Sequence, residues 1–339
     1  LASNSGTPGR LQERFGARLL ARFGGIIAPL SFLILLGLTL SQLSAHFATR
    51  DNLKQIAVQS AVVAILACGQ TAVIISGNID LSVGAVMAFS GVAAADAMAH
   101  HGASVPVGVL VACVCGVSLG TVTGLITSYG KIPSFIVTLG MMGIVHGGAG
   151  LVSHSVDIGG LPDGIQVFGF GELFGSAARD GIPYAVLIMV FAAITVHLML
   201  SRTRWGRAIY AIGGNREAAR LSGVRLTRAL TGVFALSGLL AGIAAIVNVS
   251  RASVASKDAG LGYELDAVAA TVLGGTSLFG GEGGIPGTII GAVLIYTIRN
   301  GCALKGYGPD LQQLIIGAVI ILAVLYDRYG PGRSRARSG

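Results

Sequence analysis

Residues 53–75 read LKQIAVQSAVVAILACGQTAVII, and Lys54 is the one charge in the run. As a helix this stretch rises about 34 Å, enough to cross a hydrocarbon core about 30 Å thick. Nine further runs of similar character flank it, at 24–43, 81–99, 105–128, 132–152, 182–200, 229–250, 263–279, 285–300 and 310–327. The reading is an all-α, polytopic membrane protein with about ten transmembrane helices. The third, fifth, eighth and ninth runs are the shortest, the most glycine-rich or the most interrupted.

Composition points the same way. Hydrophobic residues make up 53% of the 339 and charged residues 11%, less than half the roughly 25% of soluble chains. Glycine reaches 52 residues against 9 prolines, which excludes collagen-like and Pro-rich chains and suits closely packed membrane helices. The net charge of +8 does not imply nucleic acid, because the arginines fall in short blocks between apolar runs rather than on one basic domain.

Those blocks orient the chain. With the N-terminus cytoplasmic, the inside segments hold Arg10, Arg14, Arg18 and Arg22, then Lys131, the arginines of 201–228, and Arg328, Arg333, Arg335 and Arg337. Asp157, Asp163, Glu172 and Asp180 lie outside, as the positive-inside rule requires. The organisation is a cytoplasmic tail (1–23), a transmembrane domain (24–327) with a cytoplasmic loop (201–228), and a second cytoplasmic tail (328–339). The outer stretch 153–181 is acidic and glycine-rich, with room for a short helix or hairpin.

The inner loop carries seven arginines and a single acid, Glu217. Within it, Gly213-Gly214-Asn215-Arg216-Glu217-Ala218-Ala219-Arg220-Leu221-Ser222-Gly223 spells a helix of about two turns. Asn215 is an N-cap, Glu217 a first-turn acid and Gly223 a stop. So short a helix is unstable alone and must rest on something. Arg216 and Arg220 share one face, while Ala218, Leu221 and Ser222 line another. Two readings stand: a docking knob for a cytoplasmic partner, or an ordinary positively charged loop.

Elsewhere, chemistry-bearing residues are sparse. Asp80 lies between two spans and reads as an N-cap for the next helix, or, with Asn78 and Ser82, as a polar group on a translocation path. Pro133 opens the fifth span; behind it, Phe135 and Thr138 share a face and are gate candidates. Glu264 and Asp266 offset the dipole at the start of the eighth span, or line its outer mouth. The glycines of 274–287 contain no phosphate-binding lysine motif and read as a re-entrant or helix–helix contact. The six histidines show no metal-ligand spacing, and Cys68, Cys113, Cys115 and Cys302 read as small packing residues. No metal, no cofactor and no catalytic group is expected on this chain.

The run Gly206-Arg207-Ala208 through Ser222-Gly223 resembles the signature of ABC-type sugar permeases, the ribose and xylose permease family. Further matches are Gln70-Thr71 through Ser76-Gly77-Asn78-Ile79-Asp80-Leu81-Ser82-Val83-Gly84, Ile132-Pro133-Ser134 through Gly140, Gly262 through Ala270, and Gly274-Gly275-Thr276-Ser277-Leu278. Ser134 departs from a family that more often has Pro or Ala there. The resemblance implies a permease of the second importer architecture, without an ATPase site of its own, that carries a monosaccharide across the bacterial inner membrane. It also implies a second permease copy, an ATP-binding subunit holding ATP and magnesium, and a periplasmic sugar-binding protein. The ATPase-coupling residues it marks are Arg207 and Gly213 to Gly223, with the helix Glu217–Leu221 seated in a cleft of the ATPase. Rival readings are the same fold carrying a nucleoside, a branched-chain amino acid or a furanosyl signal, and an ion-coupled transporter using Asp80.

Overall fold

A computed structural model describes residues 8–175 and 181–329. Within that range seven helices are long and apolar enough to cross a membrane. They are α1 (Pro8–Leu43, apolar from Ile26), α2 (Arg50–Ile75), α4 (Val105–Gly130), α5 (Ser134–Val152), α7 (Tyr184–Arg202), α10 (Leu226–Ala252) and α12 (Ile285–Leu304). A shorter apolar helix, α3 (Val83–Ala99, 17 residues), and the C-terminal helix α13 (Pro309–Tyr329, 21 residues) join them. With α11 (Tyr263–Leu273), each of the ten expected runs has a helical counterpart.

The ends differ in informative ways. The expected span 263–279 stops early: α11 is Tyr263–Leu273, because Gly274 and Gly275, the latter at φ +88°, terminate it and 274–284 continues as a loop. α3 begins two residues later than expected, at Val83. The helix of α1 already runs from Pro8, through most of the segment read as a tail; residues 1–7 and 330–339 of the expected tails lie outside the described residues. The outer stretch holds both expected elements, a 3-10 turn (Asp163–Gln166) running into α6 (Val167–Phe170), and a two-residue pairing of β1 (Glu172–Leu173) with β2 (Ile182–Pro183).

The burial pattern is that of a membrane protein. An 18-residue apolar stretch of α2 is 89% buried and α2 forms the axis of the bundle, whereas the corresponding stretches of α4, α5 and α7 are only 28% buried. Their outward faces carry Leu110, Ile144 and Phe191, all more than 60% exposed. In water such a surface would aggregate; against lipid it is the expected one.

Lipid offers little hydrophobic drive between helices, so close packing must hold them together. α4 and α10 meet through Gly116, Gly120 and Gly124 on one side and Gly238 and Gly242 on the other, where a Cβ on Gly116 would overlap the Gly238 carbonyl and the reverse. α12 presses on α11 in the same way, Gly287 against the Gly274 carbonyl and Gly291 against that of Ala270; this is the helix–helix contact expected of the glycine run. Buried polar pairs add register. Asn52 of α2 and Asn300 of α12 exchange amide hydrogen bonds at 3.0 and 2.7 Å, and the hydroxyls of Thr71 and Thr288 meet at 2.7 Å.

Candidate functional site

The segment 201–228 folds as two short helices, α8 (Arg204–Gly214) and α9 (Arg216–Leu221). α8 starts where α7 stops, its N-terminus capped by the Thr203 hydroxyl, which accepts the Gly206 amide at 3.0 Å. Gly206 has no room for a side chain, since a Cβ there would overlap the Leu200 carbonyl. Along α8, Ile209 and Ile212 are buried, Trp205 lies against Gly232 of α10, and Tyr210 is half-buried. The Tyr210 hydroxyl donates to the Gly283 carbonyl at 2.8 Å. Arg207 points outward and is exposed.

α9 is capped as the sequence predicts: Asn215 Oδ1 accepts the Ala218 amide at 2.9 Å, and Gly223 turns the chain at φ +84°. Of its six residues only Ala219 is buried, packed with Ile212, Ala229 and Leu230. Ala218, Leu221 and Ser222 are exposed, Leu221 at 75%. Arg216 and Arg220 are both exposed, and Arg220 folds along the helix onto Glu217, with Nε–H···Oε2 at 3.0 Å and Nη2–H···Oε1 at 2.5 Å. That guanidinium holds the Glu217 carboxyl below its ordinary value, so it is ionised at neutral pH.

Behind α9, three segments distant in sequence meet backbone to backbone. Gly213 packs so closely on the end of α2 that a Cβ would overlap the Ile75 carbonyl oxygen. The same oxygen accepts the Gly281 amide at 2.9 Å. Gly280 and Gly281 sit at φ +84° and +76° and are wedged against Gly77, Gly213 and Gly214. The turn after α2, the end of α8 and the 274–284 loop thus share one junction with no side chain between them.

Beside it lies a cleft of about 610 Å³, lined by Gly77, Asn78 and Leu278, by Thr127, Lys131 and Phe135, by Leu226 and Leu230 of α10, and by Arg216 of α9. The path candidates divide accordingly. Asn78 and the 52%-exposed Phe135 line the cleft. Thr138 does not, so it forms no common gate surface with Phe135: it is fully buried, its hydroxyl turned to the Phe135 and Ile79 carbonyls at 3.3 and 3.5 Å. Asp80 and Ser82 are likewise buried. Asp80 accepts the Ser82 amide and hydroxyl at 2.9 and 2.6 Å and the Ser237 hydroxyl of α10 at 3.1 Å. The residue at the N-cap position of α3 is Ser82, with Asp80 two residues ahead of it.

Neither Glu264 nor Asp266 lines this cleft. Glu264 accepts the Gly262 amide at 3.2 Å. Asp266 is buried and takes both contacts of an Arg299 Nη2, each 2.8 Å, while the guanidinium sits 5.8 Å from the Tyr296 ring centroid. The first-turn position of Asp266 was legible, but its partner on α12 was not. Sequence reasoning also passed over Tyr210, whose signal is an aromatic amid charge next to a glycine pair, and Gln70. The Gln70 amide is fully buried on α2 with neither polar atom hydrogen-bonded among the described residues.

Comparison with known families matches residues 52–324 to the branched-chain amino acid transport system / permease component family. The ribose import permease protein RbsC of Escherichia coli K12 is 41% identical over 299 residues, 88% of this chain and 92% of that protein. The RbsC of Bacillus subtilis 168 is 39% identical over 304 residues, 89% and 92% of the two chains. The D-allose transport system permease protein AlsC of E. coli K12 is 35% identical over 283 residues, 84% and 85%. No solved structure matches. The chain belongs to the branched-chain amino acid transport system / permease component family, and its resemblance to ABC-type sugar permeases holds along most of its length.

Proposed function

We propose that this family member is the membrane-spanning subunit of an ATP-binding-cassette importer that carries a monosaccharide, ribose or a xylose-like sugar, into the cytoplasm. The observation that carries the reading is α9. A capped helix of under two turns holds Leu221 and Ala218 out to solvent, with its Arg216 lining the cleft and its start directly after the end of α8 that meets α2. An apolar side chain so exposed adds nothing to the folding of its own chain, and it fits a surface completed by a partner. The names of the relatives, ribose import permeases at 41% and 39% identity, support the same cargo class.

In this reading the 201–228 loop and both termini face the cytoplasm, where the arginine blocks favour them. ATP and magnesium are bound by a separate ATPase subunit whose surface receives Ala218, Leu221 and Ser222. A periplasmic sugar-binding protein delivers the sugar to the opposite face, and a second permease copy completes the path. Work done on α9 by the ATPase changes access to the cleft lined by Asn78 and Phe135.

A second reading keeps the fold and changes the cargo. Relatives named for D-allose and fructose, both 35% identical, favour a hexose. An ion-coupled carrier would use a buried acid that exchanges partners. Asp80 is held by two hydroxyls and an amide, and Asp266 is held by Arg299 near the far ends of α11 and α12, which suits structure better than exchange.

The test is a mild-detergent purification from native membranes of the wild-type chain and of Glu217→Lys, with mass spectrometry of what accompanies each. An ABC ATPase subunit is expected with the wild type and absent from the variant. Wild type arriving without an ATPase, under conditions that keep other transporters whole, would sink the reading.

A further inference from the structure

We propose that Tyr210 and the Gly213 turn form the mechanical link that passes displacement of α9 to α2 and to the α11–α12 pair, with Tyr210 as its positioning residue. The inference rests on the importer reading above and names the route inside this chain.

α8 is an 11-residue lever fixed at both ends without side chains. At one end Gly206 abuts the Leu200 carbonyl of α7, and at the other Gly213 abuts the Ile75 carbonyl of α2. Packed side chains absorb small displacements by changing rotamer, but two backbones in contact have no such freedom. The Gly281 amide bound to the same Ile75 oxygen, and the Tyr210 hydroxyl bound to the Gly283 carbonyl, tie the 274–284 loop into the lever.

What lies beyond the junction moves with it. α2 is joined to α12 by Thr71 and Thr288, and to α11 by the Thr271 hydroxyl donating to the Ala67 carbonyl at 3.4 Å. α11 and α12 are locked by Gly274, Gly287 and Gly291. Of the residues lining the cleft, Gly77, Asn78 and Leu278 come from the turns at the end of this group, while Thr127 comes from α4, Lys131 from the turn after it, Phe135 from α5, and Leu226, Thr227 and Leu230 from α10. A shift at the junction therefore alters the spacing between lining residues carried by two different groups of helices. α9 has no comparable hold on α10, which it touches through Ala219 against Ala229 and Leu230.

Tyr210→Phe isolates the link, because it keeps the ring and deletes the one hydroxyl–carbonyl bond. The full importer, with its ATPase and binding protein, would be reconstituted in liposomes, and ribose imported per ATP hydrolysed would be measured for wild type, Tyr210→Phe and Tyr307→Phe. Tyr307 is a surface residue at the other end of the bundle. The link predicts a fall of roughly threefold or more in ribose per ATP for Tyr210→Phe, with ATPase copurification unchanged, and no fall for Tyr307→Phe. Unchanged stoichiometry in Tyr210→Phe, or an equal fall in both variants, overturns it. A wild-type complex that hydrolyses ATP but imports no ribose or other monosaccharide would instead bring down the importer reading and, with it, the link.

Discussion

The two helices of the 201–228 loop are built from similar material and treated in opposite ways. α8 buries Gly206, Ile209 and Ile212, and ends on a glycine pressed into another segment's backbone. α9, one residue further on, buries a single alanine and holds its charges and Leu221 in solvent. Gly213 and Gly214 reduce the contrast to neighbours, because a Cβ on the first would overlap Ile75 whereas one on the second meets nothing within 4 Å. The difference teaches that one short loop can carry a stiff half and an available half, which is what the proposed coupling role would need. Stiffness comes from backbone contacts that cannot relax, and availability from a helix whose local caps hold it without packing.

The strongest attempt to break this contrast is the pair Gly213→Ala and Gly214→Ala. Overpacking against fixed backbone should cost the first about 3 kcal/mol, while the second should stay within about 0.5 kcal/mol of wild type. Thermal unfolding in detergent measures both, and equal shifts would remove the distinction. Leu221→Asp probes the available half. Binding of the ATPase subunit should weaken about tenfold or more with unfolding unchanged, as read by quantitative pull-down and Tm on the same preparation. Asn215→Ala deletes the cap of α9 and should cost about 1 kcal/mol, confined to that helix and visible as faster amide exchange at Ala218 and Ala219. Gln70→Leu tests the buried axis of the bundle. Removing an unpaired amide should leave stability unchanged or raise it by up to about 1 kcal/mol, and a clear loss would show that the amide is paired in the assembled membrane protein.

The smallest effect is expected at the opposite end of α2, where Glu172 pairs with Lys54 and accepts the Gly181 amide at 2.7 Å. Lys54, and then that amide, hold the Glu172 carboxyl below the ordinary glutamate value. A carboxylate with a depressed folded value stabilises the fold above its unfolded value, and loses that contribution as pH falls through the folded one. The opening equilibrium of the Leu173, Gly181 and Ile182 amides, taken from exchange corrected for its intrinsic pH dependence, should therefore be flat near neutrality and rise only below the ordinary glutamate range. A rise already near neutral pH would show that the ion pair does not hold the β1–β2 hairpin.

Much of this was legible in the sequence. Apolar runs marked the spans, since a run of about 20 such residues has one stable place in a membrane. Asn215, Glu217 and Gly223 marked the ends of α9, since capping is decided within four residues. The candidate path was less readable. Phe135 and Thr138 are three apart, and helical spacing placed them on one face; yet the carbonyl of Ile79, 59 residues away from Thr138, turns that hydroxyl inward. Asp266 looked like a dipole-offsetting acid until Arg299 of α12 came within 2.8 Å.

What the sequence by itself determined is a helical, polytopic membrane protein with a short capped helix in its arginine-rich 201–228 loop, because span length, charge placement and caps are local properties of the chain. Only the tertiary structure decided which of two adjacent glycines is irreplaceable, which polar residues share a cleft and which helix is the axis. Those depend on where Ile75, Gly213 and Gly281 meet, and backbones more than 60 residues apart are brought into contact by the packing of the whole bundle rather than by anything written within either segment.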